Sequence, residues 1–230
     1  MTAQETLTVQ VLQDSSAEAI LAEHERLANL YLYNAEMGEK RTALYLTVIS
    51  IGTAALVSLP QFGVQIETMT MGFLTGMLVM GLLTFQRLIE RRIRGTEYLR
   101  AINRTHRYFV EKDPALERFF YWPPCDDVPS FGSKGAALAG LRDIIGVLNS
   151  LIIALLLGEM VWVVTGFPQV VAVIAGIIAA AISWGLHRLY ESRSLREAES
   201  SQEVYVNFPI NGSVSNSSSE ASSIVNAESL

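Results

Sequence analysis

The chain has one cysteine, Cys125, so it can form no internal disulfide, and a lone thiol is compatible with a reducing compartment. Charge is also scarce. Only 17% of the 230 residues are charged, where a soluble domain carries about a quarter. The first forty residues have neither a basic start nor an apolar core, so no cleavable signal peptide is expected. There is no nucleophile elbow, P-loop, dinucleotide fingerprint or zincin motif, and the chain is expected not to be an enzyme and to need no cofactor. Cys125, Asp126 and Asp127 have no histidine near them and no repeated ligand spacing, so no metal site is expected either.

Apolar residues make up half of the chain, and they are clumped. Residues 43–63 carry no charge, and neither do residues 69–86. A bilayer core of about 30 Å needs about 20 helical residues, so each of these stretches can cross one. Pro60 and Gly63 mark a turn between them. Further crossings are expected over about 143–165 and 168–187, joined by a tight turn at Gly166-Phe167-Pro168. The fold expected is an all-α integral membrane protein, with four transmembrane helices as two hairpins.

The segment after the second crossing organises the rest. Residues 87–107 hold seven arginines against two acids, Glu90 and Glu97. An apolar stripe (Leu88, Ile89, Ile93, Leu99, Ile102, Phe109) runs among them, which predicts a long basic extension of the second crossing that ends at Asp113-Pro114. Residues 197–230 have five glutamates and no basic residue. Every Lys and Arg lies before the first crossing, between the second and third, or at and after the end of the fourth. Basic residues near membrane ends favour the cytoplasm, so both termini are expected there, in a cell (inner or plasma) membrane.

The divisions expected are a cytoplasmic N-terminal helix in 1–42, a first hairpin in 43–88, and a basic helix with a Pro/aromatic connector in 89–140. A second hairpin in 141–189 and a disordered cytoplasmic tail in 190–230 complete the chain. The N-terminal helix is expected to start at Ser15 or Ser16, since Ser15 and Glu18 fit a capping box. Residues 114–133 are expected to have little regular structure, with Phe119–Trp122 at headgroup depth. Val204–Ile210 reads as a short strand, a docking peptide or an ordinary apolar patch, and residues 211–230, rich in Ser and Asn, as disordered.

Three groups of residues are candidates for function. Glu159 is the one acid within an apolar crossing, and Asn149 lies nearer the basic end of the same helix. An ionisable residue in the membrane is a functional hypothesis by default, so the two are candidates to line a pore or sense protons. Arg91, Arg94, Arg100 and Arg104 are candidates to contact lipid headgroups or a partner's phosphate, because guanidinium binds phosphate bidentately. Gly72 and Gly76 form GxxxG, and Ala172, Gly176 and Ala180 repeat small residues at the same spacing, which lets membrane helices approach closely. His24 reads as a packing or surface residue and His106 as a solvated one.

The order of a polar helix, a close pair of crossings and a long basic helix, with the run Tyr98–Phe109 (YLRAINRTHRYF), resembles the SLATT class of bacterial membrane effectors and their four-crossing relatives. The resemblance covers residues 16–112. It implies a homo-oligomer that permeabilises a membrane when a cytoplasmic protein or a nucleotide signal acts on it, and it carries over no binding residues. The expected partners are then the bilayer, its anionic headgroups and further copies of the chain, with coiled-coil-like cytoplasmic helices and no specific nucleic acid. The rival expectation is a scaffold or assembly factor that presents its cytoplasmic helices to a soluble partner.

Overall fold

The computed structural model describes residues 3–58, 66–121, 123–132, 140–166, 168–203 and 205–209, with side chains of 3–14, 66–68 and 203 excepted. The turn at Pro60 and Gly63, Trp122, Phe167, Val204, Ile210 and the tail 211–230 fall outside these residues. Four helices carry the structure: α1 (Ala3–Ser58), α2 (Ile66–Lys112), α3 (Leu141–Thr165) and α4 (Gln169–Glu203). A 3-10 helix over Pro114–Phe119 follows α2, and no strand occurs among the described residues. All four helices are long and apolar enough to cross a membrane.

Two helices are longer than expected. Helix α1 begins at Ala3, not at the Ser15 capping box, and runs without a break through the expected boundary at residue 42. Its 56 residues contain no proline and two glycines, Gly38 and Gly52. At about 1 kcal/mol each, two isolated glycines do not break a helix this long. Helix α4 continues sixteen residues beyond His187, so the segment assigned to a disordered tail is helical as far as Glu203. No glycine or proline interrupts it there, and Leu195 and Ala198 are buried against Phe131.

The chain divides into two compact units. One comprises Leu32–Gly95 and Phe131–Glu199; the other comprises Met1–Tyr31, Thr96–Ser130 and Ser200–Leu230. In the first of these, here the crossing unit, α1 and α2 pair antiparallel, with Gly52 against Phe73, Gly81 against Tyr45 and Gly38 against Leu88. Helices α3 and α4 also pair antiparallel: Gly158 meets Ala172, Gly176 meets Ala154 and Gly146 meets Trp184. Helix α3 ends on Gly166 at φ 63°, a left-handed cap that glycine adopts without steric cost. Helices α2 and α4 run side by side in the same direction, as shown by Phe85 on His187, Arg92 on Glu191 and Ile93 packed with Leu195. The apolar core collects Tyr45, Phe85, Leu88, Ile89 and Ile145, with a second cluster of Leu74, Met77 and Ile152.

In the other unit, here the peripheral unit, the far end of α2 organises a loop. Asp113 ends α2 and caps the 3-10 helix, accepting from Ala115 N at 3.0 Å. Residues 123–130 are then held by backbone carbonyls accepting from α2. Arg100 Nε donates to Pro129 O (3.0 Å) and Nη2 to Asp127 O (3.1 Å). Asn103 Nδ2 donates to Cys125 O (3.1 Å) and Val128 O (2.7 Å). Among its described residues the connector has little regular structure, as expected, apart from the 3-10 helix over Pro114–Phe119, but its irregular part is held in place by α2. Proline removes donors from a loop, and the two α2 side chains supply them to its carbonyls instead.

Candidate functional site

The crossing unit buries a polar chain where α1, α2, α3 and α4 meet. Tyr45 Oη donates to Asn149 Oδ1 at 2.8 Å, and Asn149 Nδ2 faces His187 Nε2 at 3.4 Å. On the other side of the ring, His187 Nδ1 donates to Ser183 O at 2.8 Å. This places the proton on Nδ1 and leaves Nε2 to accept from the amide, which also fixes which way Asn149 points. Ser183 Oγ lies 3.4 Å from the same Nδ1 and 3.2 Å from Ser150 Oγ, and Ser150 donates to Gly146 O at 2.8 Å. Asn149 is fully buried, and Phe85 closes the imidazole edge-on at 4.7 Å between ring centres. Gly81 is required here, since a Cβ would stand 1.8 Å from Asn149 Oδ1 and 2.3 Å from Tyr45 Oη. His187 and Ser183 also form part of the wall of an apolar groove of about 520 Å³, bordered by Leu82, Leu186 and Tyr190.

One to two helical turns along α4, an ionic cluster follows. Glu191, 6% exposed, takes Arg92 Nη1 at 2.9 Å, Arg142 Nε at 2.8 Å and Arg188 Nη1 at 3.5 Å. Arg142 Nε has the distance but not the alignment of a hydrogen bond, so it contributes as an ion pair only. Arg188 also reaches Asp143 Oδ1 at 3.1 Å. Burial, followed by the charge of Arg142, holds the Arg92 guanidinium below its usual range, with Glu191 opposing. Among the described residues the cluster sets three cations, Arg92, Arg142 and Arg188, against two acids, Glu191 and Asp143.

The sequence candidates separate on this frame. Asn149 is bonded on both sides inside the protein, whereas Glu159 is half-buried and has no hydrogen bond or ion pair among the described residues. Ten residues of helix, about 15 Å, lie between them, so they do not form one site. The two small-residue stripes separate as well. Ala172 and Gly176 are buried against α3, and Ala180 is half-buried. Gly72 and Gly76 are exposed, with nothing within 4 Å of an added Cβ.

Three of the four candidate arginines are committed to structure. Arg91 Nη1 donates to Asn34 O (3.2 Å), while Asn34 Nδ2 donates back to Arg91 O (2.7 Å). Arg100 is buried on the loop carbonyls, and Arg104 Nε pairs with Asp126 Oδ2 at 3.1 Å. The assignment of Arg100 to a phosphate is therefore corrected: a 3% exposed guanidinium that donates to loop carbonyls has no face left for an external anion. Arg94 alone is exposed without a partner among the described residues.

His106 is likewise half-buried and not the freely solvated residue expected. It is stacked on Phe120 (4.3 Å, 15°) and tilted against His24 (5.1 Å), with its Nδ1 buried and unbonded. Burial, with the neighbouring His24 second, lowers its pKa below 6.5. His24 Nδ1 lies 2.9 Å from Thr105 Oγ1. In the FFYW run, Phe120 makes that stack, while Phe119 and Tyr121 are exposed.

Sequence reasoning found Asn149 but missed Tyr45, Ser150, Ser183 and His187. A signal existed: Ser183 and His187, four apart in an apolar run, are a polar pair on one helix face, and Asn149-Ser150 interrupts another apolar run. Compared with known proteins, the chain matches no family model, and no characterised protein or solved structure is significantly similar to it.

Proposed function

We propose that the chain is a non-enzymatic membrane protein of four crossings in two hairpins, with both ends cytoplasmic, that assembles into an oligomer and forms a regulated ion-conducting pore. Glu159 carries this reading. An acid in an apolar crossing is costly unless it faces a partner or water, and within one copy Glu159 has no partner among the described residues. A second copy, or a water-filled lumen between copies, relieves that cost. Gly72 and Gly76 support the assembly, because an exposed GxxxG face admits another helix at close range. The distribution of basic residues supports the orientation. The layout-level resemblance to membrane-permeabilising effectors agrees with it, and anionic headgroups would meet Arg94 and the lysines and arginines beside the crossings.

The test uses purified full-length protein in anionic-lipid vesicles loaded with a fluorescent ion reporter. The expected outcome is ion flux that Glu159→Gln reduces at least tenfold or that shifts its pH dependence. Unchanged flux and unchanged assembly in Glu159→Gln would remove the pore reading. The second reading, a scaffold, is favoured by the order in the loop after α2, where Arg100 and Asn103 hold a shaped surface. A silent bilayer together with a soluble protein captured through residues 87–140 would support it.

A further inference from the structure

Beyond the end of α4 the chain makes a second kind of contact. Tyr205 N donates to Gln202 O at 2.9 Å, and the chain then leaves the helix. Asn207 N donates to Asp126 Oδ2 at 2.9 Å, and Phe208 N donates to Asp126 Oδ1 at 2.8 Å. Asp126 N returns a bond to Phe208 O at 3.2 Å. The Phe208 ring lies under Arg107, 5.6 Å from the guanidinium carbon to the ring centre. Thus one carboxylate, 1% exposed, takes two consecutive backbone amides, while its own amide holds the carbonyl between them and Pro209.

Such a contact reads the backbone of a bent peptide, since two successive amides converge on one carboxylate only where the chain turns, with one aromatic side chain as the additional selector. Charge-assisted amide-to-carboxylate bonds are short and directional, so their geometry discriminates. Proline after the aromatic keeps residue 208 out of a helix and brings no further N–H to satisfy. The receiving side is held by bonds that do not involve the peptide. Arg104 Nε holds Asp126 Oδ2 at 3.1 Å, and Arg100 and Asn103 pin the loop on both sides of it through the carbonyls of Cys125, Asp127, Val128 and Pro129. Among the described residues the peptide is held by these three backbone bonds to Asp126 and by the ring against Arg107 of α2, and Tyr205 is exposed.

We propose that the Asp126 loop is a peptide-recognition site for a bent Asn-aromatic-Pro segment. The chain's own Tyr205–Pro209 occupies it, and the same segment from another copy can take its place. Exchange between copies would link neighbouring protomers through their tails without new surface, since the site and its ligand are on one chain. The inference rests on the peripheral unit alone and does not depend on whether the protein conducts.

The experiment compares the full-length protein with a full-length Asn207→Pro variant, which lacks one of the two donated amides. The probe is a fluorescent synthetic peptide of residues 203–210. The expected result is that the probe binds the variant at least tenfold more tightly than the unaltered chain, whose own tail competes. A probe carrying proline at the Asn207 position should lose that binding, as should Asp126→Asn introduced into the variant. If Asp126→Asn fails to fold by circular dichroism, the proline-bearing probe decides alone. Equal binding to both proteins, no binding to the variant, or undiminished binding of the proline-bearing probe would each overturn the proposal.

Discussion

Two stripes of small residues, identical in spacing, have opposite fates in this protein. On α4, Gly176 lies so close to α3 that a Cβ would stand 2.7 Å from the Ala154 carbonyl oxygen. On α2, Gly72 and Gly76 face open space. The same division separates two polar residues of α3: Asn149 is bonded to α1 and faces α4 inside the protein, and Glu159 is bonded to nothing among the described residues. Small-residue spacing says that a helix can be approached closely but not by what. In lipid no hydrophobic drive chooses the partner, so packing and hydrogen bonds must. One stripe closes a contact within the chain, and the other stays open as the face that the proposed assembly would use.

The largest effect should come from filling the closed stripe. Gly176→Leu would drive carbon into a backbone carbonyl that cannot move away, an overpacking cost of about 1–3 kcal/mol or more. Thermal unfolding in detergent, followed by tryptophan fluorescence, should show a large fall. Gly76→Leu should leave that transition in place while reducing oligomer in crosslinking or mass photometry. Should Gly76→Leu unfold the protein instead, the contrast between the stripes is wrong.

Breaking the polar chain comes next. Asn149→Leu removes both interactions and leaves Tyr45 Oη and His187 Nε2 without their partner, at about 1–2 kcal/mol for buried polar contacts between membrane helices. The check is the same unfolding transition, and an unchanged midpoint would show that the network adds nothing to stability.

A smaller effect tests burial without satisfaction, in contrast to Asn149. The His106 pKa is lowered in the folded state, so the folded protein resists protonation there while the unfolded chain accepts it. Stability from this group is fully present above pH 6.5 and is lost as pH falls through the lower folded value. His106→Phe, which keeps a ring against Phe120, should flatten the fall in unfolding midpoint between pH 7 and pH 5. A slope equal to that of the unaltered protein would assign the acid sensitivity elsewhere.

The smallest effect is expected at the exposed pair Glu23–Arg26. The hydrogen bond from Arg26 lowers the Glu23 pKa, but the pair stands in water and is screened. Glu23→Gln should leave the unfolding midpoint within error, and a clear drop would mean that this face of α1 is covered in the assembly.

Much of the fold was legible without coordinates, and the reason differs from element to element. The crossings could be read because an uncharged run of about 20 residues has few alternatives to a membrane helix. The end of α2 at Asp113-Pro114 and the glycine cap at Gly166 could be read because both are local backbone constraints. The start of α1 and the length of α4 could not. A capping box permits a helix start without requiring one, and a polar, proline-free segment becomes helix or tail according to what Leu195 and Ala198 find to pack on. Of the candidate site residues, Asn149 was visible as a polar group in an apolar run. Tyr45 and His187 complete the network across 104 and 38 residues of chain, and no local pattern encodes such separations.

Composition and patterning by themselves determine that this chain has four helices able to cross a membrane and an arginine-rich continuation of the second. They do so because apolar length and charge placement act residue by residue. Tertiary structure alone decides how those residues are used. It makes Arg100 a loop strut, Asp126 a clasp, Gly176 a close contact and Gly72 an open one. The physical reason is that burial, and the obligation to satisfy every buried polar group, depend on neighbours that only folding brings together.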